Sequence, residues 1–464
     1  MPVLLLLVGS ATAVWITTES PGKGWMVLAV VFLPLIIYWL SRNLNYAVTG
    51  MIAAAAVPRF SFDISGLNAK PEHLVAGILL VVLIVSRKYW YKEFKWSRPD
   101  YLVLAYLALN ILSSRFMSVA PGQTLKWSLQ QALAVLPYFL LRATVNSTQK
   151  FDRAMQALLA VGAAVASFAM LCYFSHLLFH TSFGVEVNQY GEIPATYGTL
   201  YEANLLGSFC GAIFILMLVF YSQKPTRNLL LGLLVTAGGM VVSFSRGALG
   251  ATLVASVFFF FLGRRMGLLR KTVIKKVAVS VAALCLVLAI ALFPSYMQRL
   301  SSFTPQGLAN DNEAQSRVIA IVFAFENIAK HPILGNGTSS FQLFFTYEEA
   351  GLGEQEAGFW IGNAEIRMAH DTGLVGLTVF MVFVWTLLIR SVRTLRRHFS
   401  LELLALLLSG LVYCIAFQAT EGTLLAFPWI HFGLIACALS LNSESAGLPA
   451  AAPVAVPEGS VGMS

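Results

Sequence analysis

The sequence predicts an all-α polytopic integral membrane protein of about 12–14 transmembrane helices, with one large loop containing short helices. Three observations predict it. Hydrophobic residues make up 58% of the chain and charged residues only 11%, against roughly 25% charged in soluble domains. Apolar runs near the ~20 residues needed to cross about 30 Å of hydrocarbon recur along the chain. Those runs are apolar all round, whereas helices on a soluble core are striped.

In order, the candidate spans fall at 2–17, 24–41, 46–58, 72–86, 100–114, 125–141, 154–178, 202–221, 228–244, 247–263, 274–293, 366–389, 400–418 and 424–442. The first run, "MPVLLLLVGSATAVW", lacks the basic n-region of a secretory signal, so it reads as a retained span; a cleaved signal is the alternative. The organisation expected is an N-terminal transmembrane bundle over 1–293, a polar loop over 294–365, C-terminal transmembrane helices over 366–442, and a disordered Ala/Pro/Gly/Ser-rich tail over 443–464. Within the loop, Asn310 and Glu313 mark the start of a helix, "NEAQSRVIAIVFAFENIAK", and Pro332, Gly335 and Gly337 end it. Its largely apolar surface places it on the membrane face of the bundle or in the interface. The acidic run Glu348, Glu349, Glu354 and Glu356 follows.

Charge sets the orientation. Most lysines and arginines fall in the even-numbered connections and most acids in the odd-numbered ones, so both termini are expected in the cytoplasm and the 294–365 loop outside. The net charge of +9 then reflects topology and no nucleic-acid partner is expected. Cys172, Cys210, Cys285, Cys414 and Cys437 lie in apolar runs and behave as small hydrophobes, without metal-ligand spacing. The chain carries no internal repeat, Walker loop or dinucleotide fingerprint, and no cofactor or metal is expected.

On this orientation the unusual polar residues gather on the outer side. Arg246, in "VVSFSRGALGA", sits where two apolar spans meet. It reads either as a snorkelling arginine or as an anion clamp for a lipid-linked phosphate, which guanidinium geometry suits. Arg115, in "NILSSRFMSVAPG", is similar, and Arg299 and Arg317 lie on the loop. Each alone reads as a surface charge; together they are what a pyrophosphate leaving group needs if no metal serves it. Thr199 and Glu202 stand in T-x-x-E spacing, which is either a capping box or places Glu202 as a general base beside Asn204. In "NAEIRMAHDTGLVGL", Arg367, His370 and Asp371 share one helical face. An Arg367–Asp371 ion pair anchoring the helix end is one reading, and a His370–Asp371 proton acceptor is the other.

Three stretches together resemble the O-antigen ligase/polymerase superfamily of bacterial envelope glycan enzymes: "GTLYEANLLGSF", "SFSRGAL" and "SRVIAIVFAFENIAKHPILGNGTSSF", closed by "GNAEIRMAHDTGLVGL". The resemblance covers roughly 190–385, with Ala203 where the pattern has proline. It implies metal-independent glycosyl transfer on the outer face of the bacterial cytoplasmic membrane, from a glycan on undecaprenyl diphosphate to a glycan or lipid-linked acceptor. By match, Arg246 and Arg317 take the diphosphate. Many ligases of the family carry His-Asn where this chain has Gly362-Asn363, with a histidine only later at His370. The departure favours a repeat-unit polymerase, with Glu202 or the His370–Asp371 pair as base. An O-antigen ligase acting on lipid A core is the alternative within this chemistry, and a secondary transporter or flippase the alternative outside it. A chain-length regulator or flippase is the candidate protein partner.

Overall fold

The computed structural model describes residues 44–64, 67–85, 94–187, 194–269, 275–276, 279, 312–345 and 360–445. The spans expected at 2–17 and 24–41, nearly all of 274–293, Arg299, the acidic run 348–356 and the tail from 446 onward lie outside these residues; 443–445, expected in the tail, end the last helix.

Twelve α-helices occur among the described residues. They are α1 (Leu44–Ala55), α2 (Pro71–Val85), α3 (Arg98–Phe116), α4 (Pro121–Thr144), α5 (Thr148–Phe179), α6 (Ala203–Gln223), α7 (Arg227–Val242), α8 (Arg246–Arg265), α9 (Asn312–Lys330), α10 (Ala364–Arg397), α11 (Leu401–Ala416) and α12 (Ala426–Ser445). Every expected span within the described residues coincides with one helix, and the helix expected inside the loop is α9. Two short antiparallel hairpins, Phe62–Ile64 with Leu67–Ala69 and Val185–Val187 with Pro194–Thr196, are the sheet structure. Among the described residues four helices, α5, α6, α8 and α10, are long and apolar enough to cross a membrane, and α1, α2, α7, α11 and α12 are shorter apolar helices. The chain is an all-α polytopic membrane protein.

Helix α6 is the central post, in contact with α5, α7, α8 and α11. Lipid chains are as apolar as leucine, so such helices are held by close backbone approach instead of by hydrophobicity. A Cβ at Gly211 on α6 would stand 2.2 Å from the Thr252 hydroxyl on α8, and one at Gly239 on α7 would stand 2.8 Å from Ala166 on α5. A second block joins α3, α4, α10 and α12. Its core is aromatic: Tyr106, Phe380, Phe383 and Trp429, with ring centroids 5.5–6.2 Å apart. Such pairs contribute about 0.5–1.5 kcal/mol each beyond area burial.

The two ends of this block are built differently. Where α3 begins and α4 ends, buried Asp100 accepts from the Tyr138 hydroxyl at 2.7 Å and pairs with Arg142 at 3.3 Å, so the ends of two helices are locked together. Where α3 ends, a network of buried hydroxyls makes the link. Thr338 meets Ser128 at 2.8 Å and the Asn110 side chain at 2.9 Å, and its N–H donates to Ser114 at 2.9 Å. This second network ties the "HPILGNGTSSF" segment onto α3 and α4, at the end that carries the candidate site.

Candidate functional site

The site forms around the turn 417–425 between α11 and α12, a polar interruption, "QATEGT", between two apolar helices. The turn is pinned from inside: the Thr423 carbonyl accepts from Gln131 Nε2 at 2.9 Å and from Trp429 Nε1 at 2.8 Å. It then touches four other elements. The Thr420 hydroxyl donates to Glu202 Oε2 at 3.2 Å, at the head of α6. Arg317 of α9 donates to the Ala419 carbonyl. Gly247, beside Arg246 at the head of α8, lies so close that a Cβ there would be 3.3 Å from the Ala419 methyl. Asn363, the N-cap of α10, donates to the Gln418 carbonyl at 3.2 Å, and Gln418 donates to Glu365 at 2.8 Å.

Beneath the turn lies a buried charge cluster. Arg367 pairs with Asp371 at 2.7 Å and with Glu421 at 2.9 Å, and donates to the Thr423 hydroxyl at 2.7 Å. One guanidinium, 2% exposed, therefore serves two carboxylates. His370 is fully buried; its Nδ1 faces Asp371 Oδ1 at 3.2 Å. Its Nε2 has no hydrogen-bond partner among the described residues, and its ring stands edge-on to Phe341 at 5.3 Å.

The cluster depends on a break in α10. Gly373 has φ 67° and ψ −176°, which is non-helical and in the left-handed half of φ that glycine tolerates. The break frees the carbonyls of His370 and Asp371. The 332–339 segment takes them up: the Asn336 N–H donates to His370 O at 2.8 Å, the Gly337 N–H to Asp371 O at 3.0 Å, and Leu374 N–H returns to Pro332 O at 2.8 Å. The Ser113 hydroxyl adds a bond to Asp371 O at 2.6 Å, and the Ser339 N–H holds the Asp371 carboxylate at 2.8 Å. Backbone meets backbone here, since a Cβ on Gly373 would come within 2.2 Å of Ile333 O and one on Gly335 within 2.5 Å of Gly373 N.

The expected residues are thus placed as follows. Glu202, Arg317, Asn363 and Arg367 bond directly to the turn; Asp371 and His370 reach it through Arg367. Arg246 is half-buried at the first position of α8, after a tight turn in which Phe244 takes φ 51° and Ser245 caps Ala248. Asn204 stands half-buried in the first turn of α6. Arg115 is exposed at the end of α3, its guanidinium over the neighbouring Phe116 ring, and no contact among the described residues joins it to the turn. The capping-box reading of Thr199 and Glu202 is corrected: Glu202 itself occupies the N-cap position, and the Thr199 hydroxyl donates to Ala56 O at 2.6 Å.

Sequence reasoning places the Thr420–Thr423 turn on the outer side but assigns no role to Gln418, Thr420, Glu421 or Thr423; their signal is a run of polar residues in a connection too short to be a domain. It also missed a cationic cluster beside Glu202. There the Arg59 guanidinium lies 3.8 Å over the Tyr197 ring and donates to Tyr201 O at 3.2 Å, and the Lys70 ammonium sits 5.2 Å from the Tyr201 ring. Among the described residues, no group of three His, Cys, Asp or Glu side chains is placed to hold a metal ion.

No curated protein matches the chain. Residues 231–381, which contain Arg246, α9, the 332–339 segment and the first half of α10, match the family model described as O-antigen ligase. That match takes in Arg246, Arg317 and the α10 break, with Glu202 and the 417–425 turn outside it; this part of the chain is similar to the O-antigen ligase family, which supports a membrane glycan-processing enzyme of the ligase or polymerase kind.

Proposed function

We propose that the protein is an inverting, metal-independent glycosyltransferase that joins undecaprenyl-diphosphate-linked oligosaccharides on the outer face of the bacterial cytoplasmic membrane, as a repeat-unit polymerase. The acceptor hydroxyl attacks the donor's anomeric carbon while the bond from that carbon to the diphosphate oxygen breaks. The hydroxyl proton passes to Glu202, and the lipid diphosphate leaves with the electron pair into the Arg246 and Arg317 guanidiniums. Arg299 and Arg115 are the further arginines assigned to the diphosphate. Attack opposite the leaving group inverts the anomeric centre.

The observation that carries this reading is the convergence on one turn: Glu202 through Thr420, Arg317 through Ala419, and the Arg246 segment through Gly247. The Glu202 carboxylate at the head of α6 and the Arg317 guanidinium of α9 bond to one turn, and the backbone beside Arg246 at the head of α8 packs against it, which supports a site for a lipid-borne phosphoanhydride there. The Arg367–Asp371–Glu421 cluster is assigned a positioning role, because its one guanidinium is buried and taken up by two carboxylates.

Ligation to lipid A core is the second reading, favoured by the description of the matched family. Deleting the gene and resolving surface polysaccharide on a gel separates the cases. Single-repeat bands support the polymerase, unattached full-length polymer supports the ligase, and an unchanged pattern refutes both in favour of transport.

A further inference from the structure

The geometry points to α9 as a helix seated in the outer-leaflet lipid, a lip of the site whose partner is the membrane surface itself. With about 100° per residue, α9 divides into three faces. One packs inward: Ser316, Ala320, Ala324 and Asn327 are buried, against a small core of Phe341, Phe345 and Ile361. Arg317 lies on the side of this face that reaches Ala419. A second face carries Val318, Val322 and Phe325, each more than half exposed. A third carries Gln315, Glu326 and Lys330, also exposed, with the exposed Ile319 among them. A helix bordered by protein, an apolar surface and water in turn is the pattern of one lying in the interface plane.

Depth on α10 fixes what covers the apolar face. From Gly373 the helix runs through "GLVGLTVFMVFVWTLLI" to Arg390, a length of about 26 Å at 1.5 Å per residue, close to the ~30 Å hydrocarbon core. The break at Gly373 therefore lies near the hydrocarbon boundary. Ile333, just past α9, is bonded at that level, its carbonyl accepting from Val375 N–H at 3.4 Å. Ile333, Leu374 and Val375 are all exposed, so the apolar face of α9 continues into the lipid-facing side of the spanning helix. That this leaflet is the outer one, and that α9 with Arg317 borders the site, rests on the proposed function.

The test uses the full-length protein in phosphatidylcholine/phosphatidylglycerol vesicles, with Cys285→Ala and Cys414→Ala removing background thiols. Bimane is attached at Val322→Cys, Phe325→Cys or Glu326→Cys, and quenched by lipids dibrominated on the acyl chains or by aqueous iodide. Bimane at 322 and 325 should be quenched by brominated lipid at least twofold more than at 326, with the order reversed for iodide. Equal quenching at all three, iodide access at 322 without lipid quenching, or 322–322 disulfides marking a second copy on this face would each overturn the inference. None of these readouts needs glycan transfer, so they stand or fall apart from the catalytic reading.

Discussion

Removing the Arg367 guanidinium tests whether the cluster under the turn anchors the site. Arg367 is held by Asp371 at 2.7 Å and Glu421 at 2.9 Å with almost no solvent exposure. In Arg367→Met the aliphatic volume is nearly kept, but two buried carboxylates lose their shared cation. Breaking a buried pair from one side costs about 3–5 kcal/mol, and the Thr423 hydroxyl loses a charged donor worth about 1.5–3 kcal/mol more. Removing all three charges together, in Arg367→Met/Asp371→Asn/Glu421→Gln, leaves no orphan charge, and the asparagine oxygen can still accept from Ser339 N–H. The single variant should therefore be far less stable than the triple. The assay is the fraction of detergent-purified protein that stays monodisperse after graded heating. A single variant as stable as the parent, or a triple variant no better than the single, would refute the cluster as an electrostatic anchor.

Arg246→Ala should lower glycan product about 10²–10³-fold, the size of a lost electrostatic contact to a leaving group, while membrane insertion stays intact; normal polymer yield and length would remove Arg246 from the clamp. Transfer in vitro should survive EDTA, and loss rescued by a divalent ion would overturn the metal-independent step. Gly373→Ala puts a Cβ 2.2 Å from Ile333 O at a residue of φ 67°, so folded yield should collapse, whereas Gly250→Ala, which meets nothing within 4 Å, should express like the parent. A cysteine at exposed Glu326 should react with an impermeant thiol reagent from outside intact spheroplasts; labelling only after lysis would reverse the topology.

The helices were legible because lipid imposes a length and a composition on each span, and α9 because a start signal and the Pro332–Gly335–Gly337 stop bracket its apolar run. The Arg367–Asp371 contact was legible for the same local reason: i, i+4 spacing on one helix face. What could not be read was anything set by contact between distant segments. Thr420 meets Glu202 across 218 positions and Arg317 meets Ala419 across 102, and no periodicity records such pairs. Glu421 was overlooked because an acid in a short polar turn reads as solvated surface, although its partner lies buried beneath it. A glycine inside an apolar run, as Gly373 is, reads as a point of close helix contact; its role as the point where a span breaks needed the 332–339 backbone to be in place.

The division of labour among the charged groups follows from exposure. A general base has to come within about 2.6–3.2 Å of the hydroxyl it deprotonates. His370 is fully buried, with Asp371 on one nitrogen and Phe341 edge-on to the ring, so an acceptor sugar could reach it only by displacing the loop that mends the α10 break. Glu202 is exposed and held by the Thr420 hydroxyl at the rim, where a sugar needs no such displacement. The arginines sort in the same way: Arg367 is saturated by two carboxylates, whereas Arg246 and Arg317 are half-exposed beside the turn. On the proposed function, the stabilising charges sit beneath the turn and the transfer groups at its exposed rim. The turn then couples the two, because a displacement of about 1 Å in a reacting group can cost 10²-fold in rate.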